Sequence, residues 1–261
     1  VELIAELQDF FASYVVPRYR GIDREDYRLL LLDTGQEILR GVHPSLAEKA
    51  RERLWHEGIE IRTGTRVTRV GAGFVEVNGG ETIPVGMTVW AAGVKGHPTL
   101  AGLAAERDRL GRVIVNTHMR LPGHPEVYGV GDAVTIEGRP KASIPIIPAA
   151  LAHARLAAHN IVAELAGLPP ATIEFAPRGM LVSLGEKHAV VEVMGLRVSG
   201  YPAWLFWNAL HLLKLVGIRK QIQVALDWSL ARWFPRDSAI MRNVSRCPVC
   251  SHTLPARRDA A

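Results

Sequence analysis

Cysteines, long apolar runs and the common short catalytic motifs are scarce or absent in the sequence, and each absence excludes a class of protein. Only two cysteines occur in 261 residues, Cys247 and Cys250, so the fold does not depend on a disulfide framework. The apolar run near the C-terminus is broken by Lys214, well short of the ~20 residues that a spanning helix needs. No HExxH zinc motif, no GxSxG nucleophile motif and no phosphate loop is present, which excludes those chemistries.

The net charge of +5 and the apolar content of 48% indicate a folded protein that suits an anionic partner, such as a membrane surface. Nucleic acid is not expected as a partner, because the basic residues are not interleaved with aromatic residues on one predicted sheet. The length suits about two domains. Since Val1 is not a methionine and lies inside a predicted helix, we expect a fragment whose front part is missing.

The first sixty residues alternate helix and strand signals. The stretch "VELIAELQDFFASYV" has apolar residues at helical spacing, and "YRLLLLDTG" is an apolar run typical of a parallel strand buried on both faces. The stretch "HPSLAEKARERLWHEG" predicts an amphipathic helix that ends at Gly58. Several short strands with glycine turns follow, as far as "VWAAG". This order predicts an α/β fold with a parallel sheet.

Asp33 ends the first predicted strand and is a candidate nucleotide contact. In a dinucleotide-binding fold, an acid at the tip of the second strand hydrogen-bonds the adenosine ribose and disfavours the 2′-phosphate of NADP. The alternative is an ordinary turn acid at the end of a strand, as in "DTG".

The stretch "VYGVGDAV", residues 127–134, predicts a buried strand that runs into two glycines and an aspartate. One interpretation is a tight turn. The other is that Gly129 and Gly131 let a ligand approach the backbone while Asp132 binds a hydroxyl group of that ligand. A long helix is predicted from near Pro148 to Gly167. Asp132 is therefore expected at the carboxyl edge of a sheet, where open sheets bind ligands.

"VWAAGV", followed about thirty-five residues later by "VYGVGDAV", resembles the flavoproteins with two dinucleotide-binding domains. The closer resemblance is to type II NADH:quinone oxidoreductases, and it extends over residues 1–243. It implies an α/β fold with two Rossmann-like dinucleotide-binding domains, both incomplete on the N-terminal side, followed by a C-terminal strand and amphipathic membrane helices. The implied parts are the NAD domain (1–92), the FAD domain (93–168), the membrane-associated part (169–245) and a mobile tail (246–261).

The resemblance also implies the chemistry: hydride passes from NADH to FAD, and electrons then pass to a quinone. The implied cofactor contacts are Asp33, Ala91, Ala92, Gly93, Gly131, Asp132, Ala149 and Ala150. Glu2 is expected near the nicotinamide and flavin rings, and Lys187 near the flavin edge. Where the family commonly has quinone-facing glutamines, this chain has Pro148 and Ala152. His153 beside them is the candidate donor to a quinone carbonyl, and the alternative is a surface histidine.

The segment from residue 201 to 234 carries four of the six tryptophans, Trp204, Trp207, Trp228 and Trp233, together with several cations. The cations expected to face anionic headgroups are Lys214, Arg219, Lys220 and Arg232. This composition predicts amphipathic helices at a membrane interface. The resemblance implies a peripheral enzyme on the cytoplasmic face of the cell membrane. The alternatives are a helix packed on the protein's own core and the seam of a homodimer.

Two other functions remain open. Sulfide:quinone oxidoreductase shares the fold but needs redox cysteines beside the flavin, and Cys247 and Cys250 follow the membrane segment. A non-catalytic membrane-binding module is the third hypothesis. No metal site is expected, because one CxxC pair is half of a zinc ribbon, although His252 could serve as a third ligand.

Overall fold

The computed structural model describes residues 1–19, 21–177 and 179–230, and these form a mixed α/β fold. The N-terminal part contains helix α1 (Glu2–Phe10), strand β1 (Leu29–Leu32), helix α2 (Pro44–His56) and strand β2 (Ile59–Arg62). β1 and β2 pair in parallel, which confirms the predicted order of helix, strand, helix and strand. α2 starts with a proline at its first position, where the missing N–H costs nothing, and ends before a glycine with a positive φ.

The next residues form a three-stranded antiparallel sheet of β3 (Val67–Gly71), β4 (Phe74–Val77) and β5 (Glu81–Pro84). The prediction that strand structure continues to "VWAAG" is wrong. Residues 86–97 contain neither helix nor strand, and the Trp90 side chain is exposed. No described strand lies beside this segment to pair with its backbone.

The middle of the chain combines four short strands with one long helix. These are β6 (Val113–Val115), β7 (Arg120–Leu121), β8 (His124–Tyr128), β9 (Val134–Ile136) and α3 (Ile147–Leu165). β6 and β9 pair in parallel, whereas β7 and β8 form an antiparallel hairpin. The prediction of a buried strand before the aspartate is wrong, because the first four residues of β8 are exposed. Among the described strands, β8 pairs with β7 alone.

The C-terminal part contains an antiparallel sheet of β10 (Gly179–Ser183), β11 (Ala189–Val193) and β12 (Leu196–Gly200). Two helices follow, α4 (Tyr201–Lys214) and α5 (Ile218–Leu230), with a break at Gly217, whose φ is +92°. No helix among the described residues is long and apolar enough to span a bilayer.

One hydrophobic core joins residues from the N-terminal and C-terminal parts of the described chain. Leu46 and Leu54 of α2 pack with Ile59 of β2 and with Val182 and Val190 of the C-terminal sheet. Burying each of these side chains contributes about 1.5–3 kcal/mol. The C-terminal sheet therefore completes the core of the N-terminal part. The division into domains at residues 92, 168 and 245 stays a prediction. The tail at 246–261, with its cysteines, and also Trp233 and Arg232 lie outside the described residues.

Candidate functional site

The glycine–aspartate turn lies between β8 and β9, in a single 3-10 turn at Gly131–Ala133. Glycine is favoured at positions 129 and 131 for two different reasons. Gly131 has a φ of +68°, which side chains disfavour. A Cβ on Gly129 would lie 2.5 Å from Cγ1 of Val134 and 3.0 Å from Cγ1 of Val115, both in buried strands. Gly129 thus allows close packing of the protein's own strands, and Gly131 allows the turn.

The Asp132 carboxylate is exposed and makes no hydrogen bond or ion pair with any described residue. A carboxylate normally accepts several hydrogen bonds. The first turn of α3 lies against the same turn, because a Cβ on Gly131 would be 3.8 Å from the Cβ of Ala150. Ala149 beside it is buried. The turn thus presents a free acceptor next to small side chains.

His153 of α3 reaches the same turn from inside the protein. Its side chain is 2% exposed, so the interpretation as a surface histidine is wrong. The Gly131 backbone N–H donates to Nδ1 at 3.2 Å, and Nε2 donates to the carbonyl oxygen of Ala142 at 2.8 Å. Both ring nitrogens are used within the protein. The expectation that His153 donates to a quinone is therefore not met in this arrangement.

One face of α1 carries three acids that bind the C-terminal sheet. Oε1 of Glu2 accepts the Ser183 N–H at 2.9 Å, and Oε1 of Glu6 accepts the Ser183 hydroxyl at 3.0 Å. One turn further, Asp9 accepts the N–H of Glu186. Burial raises the pKa of Asp9, although the hydrogen bond from Glu186 opposes the shift. These contacts hold α1 against the end of β10 and the turn that follows it.

The same turn carries Lys187, whose Nζ lies 3.0 Å from Oε1 of Glu186. Its backbone has a φ of +63°, and the neighbouring Gly185 has a φ of +86°. A Cβ on Gly185 would collide with Oδ2 of Asp9, so only glycine fits against α1 here. The structure therefore brings Lys187 and the acidic face of α1, which includes Glu2, to one junction.

Asp33 follows β1, and one of its two carboxylate oxygens accepts hydrogen bonds from the protein. Oδ1 accepts the Gly35 N–H at 2.7 Å and the Arg40 guanidinium at 2.8 Å. Partial burial alone would raise the pKa of Asp33, but the hydrogen bonds from Gly35 and Arg40 outweigh it and lower that pKa. Oδ2 accepts no hydrogen bond from the described residues. The geometry fits a turn acid and also leaves one oxygen for a ligand.

The predicted site residues thus fall into two groups and one separate segment. Glu2, Lys187 and the acids of α1 meet at one junction, and Asp33 follows β1, whose Leu29 and Leu31 pack in the same core as Ala5 of α1. Gly131, Asp132, Ala149, Ala150 and His153 form the second group. Ala91, Ala92 and Gly93 lie in an exposed segment that hydrogen-bonds to neither group. Sequence reasoning missed Arg40, Asp9 and Ser183. The partners of Asp9 and Ser183 lie about 180 residues away, and no local pattern marks the pairing of Arg40 with Asp33.

The contacts of the α4 tryptophans fit the alternative of a helix packed on the protein's own core. Trp204 and Trp207 pack against Ala189, Val191 and Ala203 in a small core. Within the segment that holds α4 and α5, the most exposed apolar residues lie at the tip between the two helices. They are Leu213 at 73%, Val216 at 95% and Ile218 at 74%.

Comparison with known proteins agrees with this fold. The sequence matches the pyridine nucleotide-disulphide oxidoreductase model over residues 3–154 and the NDH2 C-terminal domain model over residues 178–237. Type II NADH:quinone oxidoreductase Ndh of Mycobacterium tuberculosis is 32% identical over 241 residues, covering 88% of this chain and 51% of the relative. A probable NADH dehydrogenase of Dictyostelium discoideum is 27% identical over 237 residues, with 91% and 52% covered. The chain spans about half the length of the curated relatives it matches.

Two solved structures show the same fold at low identity. NDH2 from Plasmodium falciparum in complex with NADH superposes with a TM-score of 0.79 at 15% identity, covering 91% of this chain and 64% of that one. Sulfide:quinone oxidoreductase from Aquifex aeolicus gives 0.62 at 19% identity, with 98% and 62% covered. The first family model covers more than half of the sequence, and the resemblance seen in the sequence is confirmed. The chain belongs to the pyridine nucleotide-disulphide oxidoreductase family, and its C-terminal part matches the NDH2 C-terminal domain.

Proposed function

We propose that this chain is part of a type II NADH:quinone oxidoreductase, which transfers hydride from NADH to FAD and passes electrons to a membrane quinone. The observation that carries the proposal is the free carboxylate of Asp132 in a glycine turn, within a chain whose two matched models follow the order of that enzyme class. The names of the relatives, NADH dehydrogenase and NADH:quinone oxidoreductase, agree with it.

The residues around the glycine–aspartate turn fit a flavin dinucleotide. Asp132 offers an acceptor without a protein partner, which suits a hydroxyl group of the ribityl chain. Gly131 and Ala150 leave room for close approach of the ligand to the backbone. In the proposal Ala149 and the small side chains of residues 91–93 border the same ligand. The flavin, when bound, supplies the hydride and electron chemistry, and the protein orients it.

The junction at α1 fits the nucleotide side. The free Oδ2 of Asp33 is suited to accept a ribose hydroxyl of NADH. Glu2 and Lys187 flank the point where α1 meets the C-terminal sheet, and we assign them to the nicotinamide side and the flavin edge. Their charges would orient the two reacting rings.

The tip between α4 and α5 fits a membrane surface. Three exposed apolar side chains lie beside three cations, Lys214, Arg219 and Lys220. Apolar groups that enter the headgroup region next to cations at its surface are typical of interfacial helices. Each cation near an anionic surface contributes about 1 kcal/mol. The proposal therefore places the enzyme at a membrane surface, on the cytoplasmic face that the resemblance implies. The alternative is that this tip forms the interface of a homodimer.

The flavin assignment is tested by Asp132→Ala in the flavin-loaded protein. Because a ribityl hydroxyl would lose a charged acceptor, we expect flavin to be released during desalting. Glu137→Ala, at an exposed acid four residues beyond the turn, is the matched control and should retain the flavin. A full equivalent of FAD in the Asp132→Ala protein would refute the assignment. A wild-type protein without affinity for FAD would support the membrane-binding module instead.

The membrane assignment is tested by replacing Val216 and Ile218 with aspartate. Sedimentation with anionic vesicles should be lost, whereas Met194→Asp, at an 88% exposed site in the β11–β12 turn, should leave it unchanged. High salt should weaken binding of the unaltered chain without abolishing it, since apolar burial is not screened. If the unaltered chain stays in the supernatant at low salt, the tip is not a membrane surface, and a dimer measured by light scattering would explain its exposed side chains.

A further inference from the structure

His153 is the buried titratable side chain of α3, and the proposed function gives it no role. It lies on the face of the helix formed by Ala149, Ala157 and Asn160, all of which are buried. An imidazole without partners is costly to bury, so a histidine at such a position requires hydrogen bonds. His153 has two, and they join segments on opposite sides of the ring.

The two hydrogen bonds determine where the proton of the ring lies. Nδ1 accepts from the Gly131 N–H and so carries no proton, while Nε2 faces the Ala142 carbonyl oxygen and must donate. One neutral tautomer satisfies both partners. An apolar residue of similar size at this position would leave a partly buried N–H and a buried carbonyl group unpaired.

Ala142 is itself held firmly, so His153 connects the turn to a fixed part of the core. The residue after it, Ser143, accepts the Ile136 N–H at 2.8 Å through its hydroxyl and accepts from Arg112 at 2.7 Å through its carbonyl. Arg112 is in turn paired with Asp108 at 2.7 Å. Through His153 and Ala142, the Gly131 amide is therefore connected to strand β9 and to a partly buried ion pair.

We propose that His153 is a positioning residue that fixes the orientation of the Gly131–Ala133 turn and so aims Asp132 at the flavin. The proposal rests on the proposed function for the identity of the ligand. The contact of His153 with the turn does not depend on the ligand, because both of its hydrogen bonds lie within the protein. His153 acts through Gly131 and touches neither quinone nor nucleotide.

Three variants separate positioning from general stability. His153→Leu removes both hydrogen bonds. His153→Gln retains one acceptor and one donor at the end of a side chain of similar reach. His159→Leu is the matched control, because His159 is exposed on the same helix and has no described hydrogen bond.

The first measurement is amide hydrogen exchange at Gly131, with the amides of β6 and β9 as internal reference. His153→Leu should speed exchange at Gly131 by about tenfold or more while the reference amides stay protected, as expected for a partly buried N–H that loses its partner. His153→Gln should restore protection to within about threefold, and His159→Leu should change nothing. Unchanged exchange at Gly131 in His153→Leu, or equal acceleration throughout β6 and β9, would overturn the proposal.

The second measurement is the flavin dissociation constant from quenching of FAD fluorescence. We expect about tenfold weaker binding in His153→Leu and rescue by His153→Gln. Equal affinity in wild type and His153→Leu would overturn the aiming of Asp132. If wild type binds no FAD at all, the proposed function fails, and the exchange at Gly131 still decides whether His153 holds the turn.

Discussion

Replacing Asp33 with serine is expected to move the nucleotide preference from NADH toward NADPH. The Asp33 carboxylate would repel a 2′-phosphate, and it now holds the Arg40 guanidinium at 2.8 Å. Serine removes the negative charge and releases Arg40. A free guanidinium beside the proposed ribose site could bind a 2′-phosphate with two parallel hydrogen bonds.

The expected changes in stability and in kcat/KM follow from the exposure of Asp33 and Arg40 and from the hydrogen bonds that the substitution changes. The side chains of Arg40 and Asp33 are 64% and 33% exposed, so their ion pair contributes only about 0–1 kcal/mol to folding. The variant should therefore fold. Loss of a charged acceptor for a ribose hydroxyl costs about 1.5–3 kcal/mol, or roughly 10- to 100-fold in kcat/KM for NADH. With the new contact to Arg40, the NADPH to NADH ratio of kcat/KM should rise by about 100-fold or more.

The assay is steady-state quinone reduction by the flavin-loaded protein with each nucleotide. The double variant Asp33→Ser/Arg40→Ala is the matched control. In the double variant, kcat/KM for NADH should be as low as in Asp33→Ser. Its kcat/KM for NADPH should not rise, because no guanidinium is then present to bind the 2′-phosphate. A ratio of kcat/KM that does not change in Asp33→Ser would show that Asp33 only accepts the Gly35 N–H in its turn.

Two further changes test contacts that hold the site together. Because burial raises the pKa of Asp9 above the ordinary 3.8, its protonated form stabilises the fold and that contribution is lost as pH rises through the raised pKa. Asp9→Asn still accepts from Glu186 without ionising, so urea unfolding from pH 4 to 7 should show a smaller fall in stability with pH. An unaltered pH slope would contradict this. Gly129→Ala should lower the free energy of unfolding by about 1–3 kcal/mol, since its Cβ would meet Val134. A wild-type Tm for this variant would show that β9 shifts freely.

The sequence was sufficient to predict those helices and strands whose signals lie within their own segment. The unbroken leucines of β1, the proline and glycine that bound α2, and the long alanine-rich α3 each carry their signal within the segment. The glycine–aspartate turn was also predicted. Its environment was not, since the burial of His153 depends on where residues 131 and 142 lie, and spacing along α3 does not encode this.

Composition alone did not distinguish a protein partner from a lipid partner. Trp204 and Trp207 have the amphipathic character expected at a membrane, yet they cover the C-terminal sheet. A tryptophan buries the same apolar area against either surface. The exposed apolar tip at Val216 was recognisable only after the helix break at Gly217 was known.

The bonds between α1 and the end of β10 have a consequence for the order of folding. They join residues about 180 positions apart, as Glu2 and Ser183 do. At a synthesis rate of about 5–20 residues per second, α1 would leave the ribosome ~10–35 seconds before its partner exists. During that interval the core around α2 lacks Val182 and Val190. The N-terminal half must therefore wait in an incomplete state with exposed apolar surface, and closure of this long loop is expected to be a late step in folding.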